Sequence, residues 1–269
     1  MYRTYVPASA GAGVSGVIMM LHGCTQSPED FAAGTDMNAL AGEHCFVVVY
    51  PAQSRGDNAQ SCWNWFSRGD QRRGRGEPAI LASLTTRICD EHNIDRNRTF
   101  VAGLSAGGAM AAIQGETYPD VFAAVGAHSG LPVGAAKDVP STFAAMGGNI
   151  LDAPGQLQNG PRVRSIVFHG TADTTVHPDN GDAIVRRALV DGSSQSIETS
   201  ERAEANGRSY TRLISSESNG TVVVEHWRID GQSHAWSGGS AAGSYADPKG
   251  PNASAEMVQF FFDNSDEVN

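Results

Sequence analysis

The chain has 269 residues, 40% of them hydrophobic and 18% charged, with a formal charge of −10. This is too much apolar material for a disordered chain, and no apolar run is long enough to cross a bilayer. The acidic balance argues against a general nucleic-acid binder, because no basic stripe is available to displace phosphate counterions; the one basic cluster, Arg68, Arg72, Arg73 and Arg75, lies among glycines and reads as a solvated loop.

In chain order, short apolar, β-branched runs bounded by Gly or Pro predict buried strands over residues 16–23, 45–51, 99–105, 123–130, 164–170 and 221–229. Helix-length patterns lie between and after them, at 27–44 with a Ser-Pro-Glu-Asp start, 77–92, 107–119, 181–190 and 253–264. Residues 135–161 read as a long connection or a cover over a site. Strands apolar throughout and alternating with helices predict an α/β fold, a mostly parallel sheet covered on both faces. No linker or repeat divides the chain, so residues 1–269 are read as one catalytic domain.

In such a sheet the site gathers at the carboxyl ends of the strands. One of those ends carries Gly103-Leu104-Ser105-Ala106-Gly107, a G-x-S-x-G sequence between a strand and a small-residue helix. Small flanking residues let a serine sit on a tight, strained turn, where its hydroxyl faces the site and the helix N-terminus aims N–H groups at it. A nucleophilic serine needs a base, and the base an orienting carboxylate. Ser105, Asp173 and His234 follow in the hydrolase order, each after a predicted strand. Asp179 and Asp182 compete with Asp173; His22, His128, His169, His177 and His226 compete with His234. His226 lies within a predicted strand, and His22 and His169 precede glycines in turns where a ring serves to hold backbone. Two backbone N–H groups are needed for a developing oxyanion, and Ala106 and Cys24 are the candidates.

Four cysteines, Cys24, Cys45, Cys62 and Cys89, show no CxxC pair and no histidine at zinc spacing, so no metal is expected. Their even number suits two disulfides, with three pairings open, and an oxidising compartment. Residues 1–23 show no signal-peptide pattern, so either a leader has been removed or the chain stays in the cell. An extracellular or periplasmic site is expected, with a cytoplasmic one as the alternative.

The stretches LHGCTQ (21–26), CWNWF (62–66), GLSAGGAM (103–110), HGTADTTV (169–176) and GQSHAWSGG (231–239) resemble the catalytic domain of polyhydroxybutyrate depolymerase-type esterases, near the feruloyl and acetyl-xylan esterases. The resemblance spans about residues 1–262 and implies an α/β-hydrolase fold and serine-esterase chemistry without metal or organic cofactor. It implies Ser105 as nucleophile, Asp173 as acid, His234 as base, and Cys24 and Ala106 as oxyanion donors. It also implies a Cys24–Cys62 disulfide, which leaves Cys45 with Cys89. No substrate-binding domain follows residue 262, so soluble oligomers or amorphous polyester are expected rather than crystalline polymer. Trp63 and Trp236 are core residues or the aromatic rim that an apolar ester requires. The expected partner is an ester or polyester substrate, with no nucleic acid and no membrane, acted on by a monomer. A feruloyl, acetyl-xylan or aromatic-polyester esterase and a non-catalytic binding protein on the same fold are the alternatives.

Overall fold

The computed structural model describes residues 1–150, 161–190 and 197–263. In chain order the elements are β1 (Tyr2–Tyr5), β2 (Val17–Leu21), α1 (Pro28–Thr35), α2 (Met37–His44), β3 (Val47–Pro51), α3 (Gly76–His92), β4 (Thr99–Leu104), α4 (Ala106–Thr117), β5 (Ala124–His128), α5 (Val139–Met146) and β6 (Arg164–Gly170). There follow α6 (Asp179–Val190), β7 (Ile197–Ala205), β8 (Arg208–Ser216), β9 (Val222–Ile229), β10 (Trp236–Ser237), β11 (Ala246–Asp247) and α7 (Ala253–Phe262).

Among the described residues the main sheet has nine strands in the order β1-β3-β2-β4-β5-β6-β9-β8-β7. The run from β3 to β9 is parallel, whereas β1 and the β7–β8 hairpin are antiparallel extensions. Every residue of β2, β3, β4 and β5 is buried, as continuous apolar runs require when helices cover both faces. Alternation splits the core in two. Val17, Met19 and Val101 face α3 and α4, while Ile18, Met20 and Phe100 face α1, α2 and α7. Val167 and Ala127 meet Ile184 of α6.

The predicted helix at 27–44 is two helices. Ser27 accepts from the Asp30 N–H and Pro28 opens α1, but Asp36 adopts a left-handed φ of 52°, which ends α1 and starts α2. A helix also occupies 139–146, capped by Asp138 and Ser141 within the stretch read as a connection. Residues 151–160 of the expected cover lie outside the described residues. No helix of the described residues is long and apolar enough to cross a membrane.

Candidate active site

Ser105 joins β4 to α4 with φ 58° and ψ −120°, a conformation that costs a non-glycine residue of order 1–3 kcal/mol. It is held there from both sides: its N–H donates to the His128 carbonyl (2.9 Å) and its carbonyl accepts from the Ala109 N–H (2.9 Å). Gly103 and Gly107 are needed because a Cβ on either would run into backbone, that on Gly103 into Gly107 and that on Gly107 into the Leu21 carbonyl. The Ser105 side chain makes no capping bond.

Asp173 is buried in the turn after β6. The N–H groups of Thr175 and Val176 both donate to Oδ1 at 2.9 Å, and His234 Nδ1–H donates to Oδ2 at 2.7 Å. A carboxylate only accepts, so the Nδ1 of His234 carries a proton, and in the neutral ring Nε2 keeps its lone pair. Burial pushes the Asp173 carboxyl up, but hydrogen bonds from His169 and His234 outweigh it and hold the group well below the usual carboxylate range. The two loops interlock. Ala172 N–H donates to the Gln232 carbonyl (3.0 Å), and a Cβ at Gly170 would collide with that same carbonyl.

His128, at the end of β5, ties the Ser105 turn to the segment that carries His234. Its carbonyl takes the Ser105 N–H, and its Nε2 accepts the Ser237 N–H (3.0 Å) three residues beyond His234. Burial drives its imidazole well below its ordinary pKa, which keeps the ring neutral and accepting at Nε2. Neither Ser105 Oγ nor His234 Nε2 has a hydrogen-bond partner among the described residues, so the structure pairs His234 with Asp173 and leaves Ser105 and His234 without a direct bond. Such bonds are often long without substrate and tighten when it binds.

The loop after β2 is fixed by side chains. Gly23 N–H donates to Gln26 Oε1 (2.8 Å) and Thr25 N–H to the Gln60 carbonyl (2.8 Å), while no acceptor among the described residues takes the N–H of Cys24. Ala106 is the first residue of α4, where backbone N–H groups have no intrahelical carbonyl. His22 Nδ1–H donates to the Gly23 carbonyl (2.8 Å) and Nε2 accepts from Gln53 N–H (3.1 Å). The indole N–H of Trp63 donates to the His22 carbonyl (3.0 Å), and Cys24 is disulfide-bonded to Cys62.

A family model described as esterase PHB depolymerase matches residues 1–209. The chain belongs to that family. Poly(3-hydroxyalkanoate) depolymerase C of Paucimonas lemoignei is 33% identical over 86% of this chain and 57% of its own length. A probable acetylxylan esterase A of Aspergillus fumigatus is 31% identical over 65% of this chain and 51% of its own. The chain thus spans about half the length of the curated relatives it matches. Acetyl xylan esterase from Aspergillus awamori superposes with a TM-score of 0.77 at 20% identity, over 97% of this chain and 93% of that one. The expected α/β-hydrolase fold is therefore the fold of this family member.

Two expectations need correction. Cys45 and Cys89 are free thiols and not a disulfide: Cys45 ends α2 on one face of the sheet, and Cys89 lies in α3 on the other, against Thr99. Trp63 and Trp236 form no rim, being 3% and 1% exposed. Trp236 donates to Ser254 Oγ and stacks on His128, so its indole is spent on packing. Asp179 and Asp182 lie beside His177 and His226 rather than His234. Among the described residues no cluster of His, Cys, Asp and Glu could hold a metal.

The disulfide closes a separation of 38 residues, worth about 3–4 kcal/mol by the loop-entropy estimate. Reduction is expected to lower Tm by several degrees and to slow turnover by loosening the Cys24 loop, read by thermal shift and initial rates with and without dithiothreitol. Alkylation of the unfolded, unreduced chain should label two thiols, and four after reduction.

Glu77 reinforces the same loop. Its carboxylate accepts from Asn64 N–H (2.7 Å), Asn64 Nδ2 (2.6 Å) and Gln53 Nε2 (2.5 Å), next to the residues that hold His22. Burial, opposed by those donors, pushes its pKa up to about 7. A raised carboxyl pKa makes the folded chain bind the proton more tightly, so this group's stability is full at low pH and is lost as pH rises toward 7. Thermal melts from pH 5 to 8 should show that decline, and Glu77→Gln should flatten it.

Proposed function

We propose that the chain is a serine esterase acting through an acyl-enzyme. Ser105 Oγ attacks the ester carbonyl carbon as His234 Nε2 takes its proton, and the N–H groups of Cys24 and Ala106 hold the oxygen that becomes negative. The carbon–oxygen bond to the alcohol then breaks, and His234 returns the proton to the departing alcohol. Water repeats the sequence on the acyl-enzyme and releases the acid. Asp173 keeps His234 in the tautomer this requires. The observation that carries the reading is the 2.7 Å pair between His234 Nδ1 and buried Asp173, with Nε2 left free, together with a strained serine at the end of β4 whose hydroxyl is also free.

The substrate we propose is a polyhydroxyalkanoate-type polyester or its oligomers, in keeping with the depolymerase relative. The acetylxylan esterase relatives favour a second reading, an acetyl ester on a sugar polymer. An extracellular or periplasmic location fits the disulfide at the oxyanion loop. The test is product analysis on hydroxybutyrate oligomers, amorphous polymer, acetylated xylan and methyl ferulate, with Ser105→Ala as the blank. Release of hydroxybutyrate supports the first reading and release of acetate alone the second. Turnover of none by a folded protein overturns both.

A further inference from the structure

With Trp63 and Trp236 buried, another aromatic ring stands open beside the base. Tyr245 is 47% exposed, and its ring centroid lies 6.3 Å from that of His234, the planes at 77°. Its backbone has φ 50°, a left-handed conformation that an aromatic residue seldom adopts and that the surroundings must enforce. They do so from both sides. The Tyr245 carbonyl accepts from the Trp236 N–H (2.7 Å), two residues after His234. The preceding residue, Ser244, donates its N–H to Asp30 Oδ1 (2.9 Å), and its carbonyl accepts from Gln26 Nε2 (2.9 Å). Gln26 is also the residue that holds Gly23 N–H in the loop carrying Cys24. The ring is therefore anchored both to the segment that carries the base and to the loop assigned to the oxyanion.

We infer that Tyr245 forms the subsite for the alcohol portion of the ester, its ring receiving a face rich in C–H bonds. The inference rests on the esterase reading and deepens it. In acyl-enzyme formation the base gives its proton to the leaving alcohol, so whatever lines the space next to His234 lines the alcohol side of the scissile bond. An exposed aromatic ring there offers apolar area and a π-face, but no charge to attract an ion. Two alcohols present the matching face: the next hydroxyalkanoyl unit of a polyester, and a sugar ring.

The test compares kcat/KM within two substrate pairs that share an acyl group. One pair is methyl 3-hydroxybutyrate and the linear hydroxybutyrate dimer; the other is methyl acetate and acetylated xylobiose. Tyr245→Ala and Tyr245→Leu are expected to lower the ratio of large-alcohol to methyl-ester kcat/KM about tenfold in one pair, whereas Tyr245→Phe keeps the wild-type ratio. The pair that responds identifies the source of the alcohol. Unchanged ratios in both pairs, or a Tyr245→Phe ratio as low as that of alanine, overturn the inference. Failure of the esterase reading looks different, because the wild-type protein would then turn over none of the four esters.

Discussion

Replacing Ser105 with alanine is expected to lower kcat on any ester substrate by about 10⁶-fold, the scale seen when a serine nucleophile is removed from a triad. The same change should leave Tm close to the wild-type value. Ser105 Oγ makes no capping hydrogen bond, and the strained turn is held by backbone bonds to His128 and Ala109 that alanine can still form. A serine serving only as a helix cap would behave in the opposite way, costing about 1 kcal/mol of stability and no activity. Circular dichroism and thermal melting beside the rate measurement separate the two.

Asp173→Asn is expected to lower kcat by about 10⁴-fold, because an amide can present N–H to His234 Nδ1 and so stabilise the tautomer whose Nε2 cannot accept a proton. KM should change far less, since Asp173 is buried behind the ring. The variant should also change how stability depends on pH. The Asp173 carboxyl is held well below its ordinary range, so the stability it contributes is present above that range and is lost as pH falls below it. The wild-type advantage over Asp173→Asn should therefore be widest near neutral pH and close as pH drops below about 4.

The candidate constellation of Ser105, Asp173 and His234 was legible because the pattern that suggests it is local and ordered along the chain. Gly103 and Gly107 mark a turn that no Cβ fits, and Asp173 and His234 each follow a largely buried strand. The parallel strands were legible for the same reason, since burial on both faces writes an unbroken apolar run. The antiparallel edges were not. In β7 nearly every residue is exposed and charges punctuate the strand, as suits an edge, so no apolar pattern marks it. Asn206-Gly207, with φ 48° and 73°, was a hairpin signal that could have revealed β7 and β8. The break at Asp36 rests on one left-handed residue, with neither proline nor glycine at that position to announce it.

Long-range relations were the least legible. A count of four cysteines suits two disulfides, yet the sheet separates Cys45 from Cys89. Trp236 sits two positions from His234, but its indole packs in the core against Phe31, while Tyr245, just before the paired strand β11, meets the imidazole edge-on. The bridging role of His128 depends on two bonds from segments 23 residues before and 109 after it, and no spacing rule in the sequence announces it.

The central claim is that Ser105 is activated by His234, which Asp173 orients. A fluorophosphonate probe followed by peptide mass spectrometry addresses it directly, because the adduct forms only on an activated serine and reports which one. The expected result is a single adduct on the peptide containing Ser105 in the wild-type protein, and labelling slowed by orders of magnitude in His234→Ala and Asp173→Asn. An adduct on a different serine, or labelling of Ser105 at the wild-type rate in His234→Ala, would contradict it.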